Sequence, residues 1–246
     1  MVLDSQDDAV GLRKPEGHGR QVQQMFSGLA PSYDRANHLL SAGTDRRWRR
    51  AAVAFAGSGR GNRVLDVCAG TGDLALAFAA DAARVIGVDF TVPMLARARD
   101  KSVGCPDQRR PAWVAGDALH LPFRDGSFDL CTVAFGIRNV SDPVAGLAEM
   151  RRVTRSGGRV LVLEFCRPRA PVLAPLYRVY FRRVLPLLGR WITGDRSGAY
   201  TYLPDTVMAF PEREEFLALM RRAGLSSPVS KILSCGIAAL YRAEVP

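Results

Sequence analysis

From Gln21 to Phe55 apolar residues recur at helical spacing: Val22, Met25, Phe26 and Leu29, then Leu39, Leu40, Trp48, Ala51, Ala52 and Phe55. Pro31 and Gly43 punctuate the run. The period then changes. Short apolar runs at Arg63–Val67, Arg84–Asp89, Pro111–Ala115, Phe128–Phe135 and Arg159–Phe165 predict strands. Helical patterns at Asp73–Ala80, Thr91–Lys101 and Val144–Val153 separate them, the second with Thr91 as N-cap and Pro93 just inside. Strands alternating with helices of this length predict a doubly wound α/β fold on a parallel sheet. Near the end the rhythm breaks: a helix over Glu212–Ala223 is followed by runs at Pro228–Ser234 and Ile237–Arg242, joined at Cys235-Gly236. Such a pair predicts a seventh and last strand running antiparallel to the rest. Residues 21–246 read as one domain, with 21–58 as its helical N-terminal part and 1–20 as a disordered lead-in.

One stretch is unusual for such a fold. Leu173, Leu176, Tyr177, Tyr180, Phe181, Val184, Leu185, Leu188 and Ile192 follow helical spacing, while Arg178, Arg182 and Arg183 take the other positions. This predicts a basic amphipathic helix kinked at Pro186, within an insertion over 170–205. Its apolar face is expected to cover the sheet or a partner subunit of a homodimer, or to dock at an anionic membrane surface through 173–192.

Composition narrows the classes. The 246 residues are 48% hydrophobic and 24% charged, which excludes disordered, collagen-like and coiled-coil chains. No run of about 18 residues is free of charge, so no transmembrane helix is expected. Met1–Asp8 lacks the basic and apolar regions of a secretory signal. Five cysteines without CxxC spacing read as free thiols of a reducing, cytoplasmic compartment. His18, His38 and His120 pair with no other ligand at metal-binding spacing. The net charge is +10, carried mostly by arginine, since only Lys14, Lys101 and Lys231 are lysines. That field favours anionic partners without choosing among nucleic acid, membrane and small ligand.

The strongest local signal is Val64-Leu65-Asp66-Val67-Cys68-Ala69-Gly70-Thr71-Gly72-Asp73-Leu74, an apolar strand entering a glycine loop that opens a helix. Glycines there let backbone approach a ligand. Asp89 ends the next strand, where a carboxylate accepts hydrogen bonds from both ribose hydroxyls. Gly70-x-Gly72-x-x-Ala75 with Asp89 also fits a dinucleotide fingerprint. Two features favour S-adenosylmethionine instead. Asp66 places a carboxylate where a dinucleotide site is apolar, suiting a cationic sulfonium amino acid. Asp117-Ala118 follows the third strand, where a carboxylate can accept from an adenine amino group. Gly70, Thr71 and Gly72 complete the expected cofactor set.

These segments, with Leu121-Pro122-Phe123 and Phe128-Asp129, resemble class I methyltransferases. Others narrow the resemblance to the C-methyltransferases of ubiquinone and menaquinone biosynthesis: Tyr33-Asp34-Arg35-Ala36-Asn37-His38-Leu39-Leu40-Ser41 with Arg46-Arg47-Trp48-Arg49, Phe135-Gly136-Ile137-Arg138-Asn139-Val140, Leu161-Val162-Leu163-Glu164-Phe165, and Tyr200-Thr201-Tyr202-Leu203 with Phe210-Pro211. The chain departs from the family pattern at Ala36, Arg155-Ser156 and Thr206, and at Ala134, where a serine is usual.

The resemblance implies methyl transfer from S-adenosylmethionine to a ring carbon of a prenylated quinol. Demethylmenaquinol is the first choice, the methoxy-polyprenyl benzoquinol of ubiquinone synthesis the second, and another phenolic metabolite the third. A ring carbon is nucleophilic enough only in an electron-rich quinol, better as its phenolate, so the site must stabilise an anion or help remove a proton. Arg138 and Asn139, after the fourth strand, are the candidates: Arg138 to hold the anion or polarise a water, Asn139 to orient the water or a quinol oxygen. Tyr33 belongs to the segment that forms a lid in this family and is expected over the methionine moiety or the ring. A nucleic-acid methyltransferase competes on charge alone. The chain lacks an Asn-Pro-Pro-Tyr or Pro-Cys target-base loop, and its basic residues are dispersed, so no nucleic-acid partner is expected. Peripheral association with the inner face of a membrane follows from the substrate.

Overall fold

The computed structural model describes residues 12–57, 61–81, 84–193 and 198–246. Three helices come first: α1 (His18–Leu29), α2 (Tyr33–Leu40) and α3 (Thr44–Ala56). The alternating half follows as β1 (Arg63–Val67), α4 (Asp73–Ala80), β2 (Arg84–Asp89), α5 (Val92–Ser102), β3 (Ala112–Ala115), β4 (Phe128–Ala134), α6 (Pro143–Val153) and β5 (Thr154–Phe165). The insertion forms α7 (Leu173–Val179), a π turn (Tyr180–Val184), α8 (Leu185–Thr193) and α9 (Ala199–Ala209). Helix α10 (Glu214–Arg222) and the strands β6 (Ser226–Leu233) and β7 (Ala238–Glu244) complete the chain.

The seven strands lie in the order β3-β2-β1-β4-β5-β7-β6. The first five pair in parallel, and β7 runs antiparallel to both neighbours. β1, β2 and α4 fall where the apolar pattern placed them. β5 begins five residues earlier than expected, because Thr154 already pairs with Phe128 across a bulge.

Both faces of the sheet are covered, as the near-continuous apolar strands require. One core packs Leu65, Val67, Cys131 and Val133 against Leu147, Met150, Phe216 and Met220. The other packs Val64, Leu130 and Leu161 against Trp48, Ala52, Leu74 and Phe78. A smaller third core joins the lid to the insertion, with Leu29, Ala36, Tyr177, Phe181, Leu185, Tyr200 and Val207. That third core stands over the C-terminal ends of the strands and frames the site.

Two expectations change. The lead-in expected over 1–20 lies outside the described residues up to 11, but beyond that point the chain is tied down. Gly17 at φ +85° starts α1 at His18, the Lys14 amide donates to the Ser141 carbonyl (2.8 Å), and Arg13 pairs with Asp142 (2.8 Å). Polar composition hid these long-range contacts. In the insertion, the expected kink at Pro186 is replaced by the π turn upstream, whose wider coil lets the helix continue past a residue with no amide. Nor is its apolar side a single face. Tyr177, Phe181 and Leu185 are buried, whereas Leu176, Val184 and Leu188 are exposed.

Candidate active site

In an open α/β sheet the ligand crevice lies beyond the carboxyl ends of the strands, where the strand order reverses. Here that point falls between β1 and β4. Immediately past those strands, Cys68 (φ +54°) and Phe135 (φ +57°) adopt the left-handed backbone that ordinary residues avoid. Both turns open the same crevice.

Two cavities meet there. The first, about 350 Å³, is lined by Gly17, Arg20, Gln23, Asp89, Thr91, Asp117, Ala118, Asn139 and Ser141 among others. The second, about 250 Å³, is lined by Asn37, Asp45, Trp48, Arg49, Asp66, Thr71, Asp73, Arg138, Phe165, Tyr177, Phe181, Tyr200 and Tyr202 among others. Phe26, Tyr33, Cys68, Gly70, Ala134 and Phe135 line both and form the wall between them.

The larger cavity has the polarity expected of the cofactor site. Asp89 ends β2 with its carboxylate fixed: Oδ2 accepts from the Gly70 amide (2.8 Å) and Oδ1 from the Thr91 amide (2.7 Å). Burial raises its pKa while the Thr91 and Gly70 amides pull it back. Each oxygen has a second lone pair to offer a diol. Asp117 Oδ1 accepts from the Leu119 amide (2.9 Å), which leaves Oδ2 for a donor in the cavity. A Cβ built on Gly70 would meet no protein atom within 4 Å, so the loop presents bare backbone to open space. The residues present therefore fit an adenosine-bearing ligand.

Gly72 does something else. It lines neither cavity. Its Cβ would lie 2.3 Å from the Trp113 ring, and at φ +83° it caps α4. It is a packing glycine that brings β1, α4 and α5 together. Asn139 also departs from expectation, facing the cofactor cavity, where its Oδ1 accepts from the Tyr202 hydroxyl (3.1 Å). Arg138, its neighbour in a short 3₁₀ turn, lines the other cavity.

That second cavity is an aromatic box with a few charges set in its walls. Phe135 and Phe165 lie 4.5 Å apart between ring centroids, and Tyr177 stacks on Phe181 at 4.6 Å. Arg138 is buried. Its Nη1 donates to Glu164 Oε1 (2.8 Å) and to the Phe135 carbonyl (2.6 Å), and the guanidinium sits 5.3 Å from the Phe165 ring centre. Among the described residues neither its Nε–H nor Glu164 Oε2 has a hydrogen-bond partner. Burial raises the Glu164 pKa although Arg138 opposes it.

Asp66 lines this cavity and not the cofactor cavity. Alternation along β1 puts it on the side of Val64, toward α3 and α4. Neither carboxylate oxygen makes a full hydrogen bond, and burial pushes its pKa up to about 8, tempered by the Ala75 amide. Burial thus favours its protonated form near neutral pH. Thr71 also faces this side and ties the glycine loop to the lid, its hydroxyl donating to Asp34 Oδ1 (2.5 Å) while Lys101 binds Asp34 Oδ2 (2.9 Å). Tyr33 stands in the dividing wall. Burial raises its phenol pKa, with its bond to Asn37 opposing.

Sequence spacing missed a polar cluster at one end of the box. His38 Nδ1 and Ser41 Oγ both reach the Asp45 carboxylate at 2.8 Å, and Arg49 bridges Asp45 and Asp73. Burial works against the Asp45 carboxylate, but Ser41, Arg49 and His38 together hold its pKa below the usual range. His38, Asp45 and Asp73 bring three ligand-type atoms within 4.8 Å, yet Arg49 and Lys101 already neutralise the carboxylates. Only folding of α2 against α3 and α4 brings these groups together.

A strand order with one reversed strand next to the edge, a carboxylate-flanked glycine loop and an adjoining aromatic box define a class I methyltransferase fold. A SAM-dependent methyltransferase from Thermotoga maritima superposes at a TM-score of 0.64 with 21% identity, covering 91% of this chain and 99% of its own. The ubiE/COQ5 methyltransferase family matches residues 14–244, and the chain belongs to that family. A Geobacter sulfurreducens protein named ubiquinone/menaquinone biosynthesis C-methyltransferase UbiE is 43% identical over 98% of this chain and 95% of its own. A Thermus thermophilus demethylmenaquinone methyltransferase is 48% identical over 90% of this chain and 100% of its own.

Proposed function

We propose that this protein transfers a methyl group from S-adenosylmethionine to a ring carbon of demethylmenaquinol, yielding menaquinol. The observation that carries the reading is the pair of cavities meeting at Phe26, Tyr33, Cys68, Gly70, Ala134 and Phe135, one with carboxylates for an adenosine and the other an aromatic box. Asp89 holds the ribose hydroxyls, Asp117 and Ala118 the adenine edge, and the Gly70 loop the remainder of the cofactor. Bound there, S-adenosylmethionine supplies an electrophilic methyl group.

The chain's own residues prepare the acceptor. A phenol with a pKa near 10 is mostly neutral at pH 7, and its ring carbon is then a weak nucleophile. Arg138, which lines the aromatic box, stabilises the negative charge that develops on the quinol oxygen as its proton passes to water, and the ring proton replaced by the methyl is lost to water in turn. Phe135 and Phe165 hold the ring plane, and Tyr33 closes the wall above the junction. Ala134, in place of the usual serine, contributes no hydroxyl to that junction. Among the described residues no helix is long and apolar enough to cross a membrane. The acceptor's prenyl tail keeps it in a bilayer, so the enzyme works at the inner face of that membrane.

The test is direct. Purified protein is incubated with methyl-labelled S-adenosylmethionine and a bacterial quinone extract, and the labelled product is identified by mass. Label in menaquinol supports the proposal. Label only in a ubiquinone precursor or in RNA overturns it, as does calorimetry showing uptake of NADH and none of S-adenosylmethionine.

A further inference from the structure

The helical insertion presents two apolar faces. Tyr177, Phe181 and Leu185 point inward and line the acceptor cavity. Val172, Leu176, Val179, Leu187 and Trp191 point outward, Trp191 at 84% exposure. Val172, Leu176 and Val179 lie three or four residues apart, as do Leu187 and Trp191, and the eight-residue step between the two groups spans the π turn, about two turns of helix, so that both fall on one side. Of the twelve large apolar residues exposed among the described ones, seven fall between Val172 and Trp191. Scattered exposed apolar residues need no explanation, but a contiguous set on one helix does.

Charge indicates what covers that face. Between Phe165 and Gly194 there are six arginines and no acidic residue. Arg178, Arg182, Arg183 and Arg190 are all exposed beside the stripe. A second copy of this chain laid on the same face would bring these cations against their own counterparts. An anionic phospholipid surface would meet them with opposite charge and take Leu187 and Trp191 into its interfacial zone, where tryptophan is favoured.

We infer that the Leu176–Trp191 stripe docks the protein on anionic bilayers, and that the same helix, by its inner face, forms the wall past which a membrane-held acceptor enters the aromatic box. The inference rests on the prenylated-quinol reading for its second half only. A helix seated in the interface with its back to the acceptor cavity lets the ring enter while the tail stays in lipid.

The experiment compares the full-length protein with a Leu187→Ser/Trp191→Ser variant, neither residue of which lines a cavity. Flotation uses vesicles of phosphatidylglycerol and phosphatidylcholine, and of phosphatidylcholine alone. Wild type is expected to float with the anionic vesicles, with binding at least tenfold weaker on neutral vesicles, in 0.5 M salt, and for the variant. The variant is expected to methylate a demethylnaphthoquinol lacking the tail at the wild-type rate, and to lose at least tenfold on the prenylated quinol in vesicles. Wild type remaining in the aqueous fraction, equal flotation of the variant, or a wild-type dimer that the variant dissociates would each overturn the docking surface. Wild type that floats yet methylates neither quinol leaves the docking surface standing and removes the substrate reading.

Discussion

Arg138 Nη1 and Glu164 Oε1 lie 2.8 Å apart, with both side chains buried at the C-terminal edge of adjacent strands. The pair joins the turn after β4 to the end of β5 and holds the guanidinium against Phe165. Arg138 is therefore a structural partner that also lines the aromatic cavity, and its proposed part in catalysis responds to substitution differently from its structural one.

Arg138→Ala leaves Glu164 buried without a counter-charge, so it is expected to lower stability by about 3–5 kcal/mol and kcat at least a hundredfold. Cofactor affinity is expected to stay within a few-fold, since Arg138 does not line the cofactor cavity. Glu164→Gln keeps a hydrogen-bond acceptor for Arg138 and is expected to hold most of the stability. Urea denaturation, methyl-transfer kinetics and calorimetry separate the three quantities. Unchanged kcat in Arg138→Ala removes its catalytic role.

The two loop glycines are expected to fail in opposite ways. Gly72→Ala drives a methyl into Trp113 at a backbone angle unfavourable for alanine, and is expected to cost about 2–4 kcal/mol of stability while the folded fraction binds cofactor normally. Gly70→Ala meets no protein atom. Its expected stability loss is only the backbone penalty of about 1–2 kcal/mol, but its methyl occupies the cofactor cavity and weakens S-adenosylmethionine binding at least tenfold. Thermal melts paired with calorimetry distinguish these outcomes.

Asp66 makes stability depend on pH. Its folded pKa of about 8 lies far above the ordinary value of 3.8, so between those values the folded protein binds the proton that the unfolded chain has released. Stability is therefore expected to decline as pH rises through that window, by up to about 1.4 kcal/mol for each pH unit, and to level off above pH 8. Asp66→Asn should flatten that part of the profile. Urea midpoints at pH 5, 6, 7 and 8 give the slope, and identical slopes in wild type and variant would show that Asp66 is ionised in the folded protein.

Periodicity and punctuation made the sheet legible. Apolar runs such as Arg63–Val67 and Arg84–Asp89 stand out, because burial on both faces demands near-continuous hydrophobicity. Asp89, Asp117 and the Gly70 loop were legible for the same reason: Asp89 is the last residue of β2 and the other two lie within three residues of a strand end, so local sequence sets their place at the sheet's edge. By itself the sequence thus determined the α/β order, the antiparallel last strand and the place of the Asp89 and Asp117 carboxylates at the edge of the sheet.

Side-chain direction was decided only by tertiary packing. Gly70 and Gly72 look alike in the chain, yet Trp113, some forty residues away, fills the space beside one and leaves the other open. Arg138 and Asn139 are neighbours that a 3₁₀ turn sends into different cavities. The His38–Asp45–Arg49–Asp73 cluster and the two-faced insertion depend on which helix packs against which. Such contacts join residues whose separation along the chain carries no periodic signal, and only their distances in the folded protein reveal them.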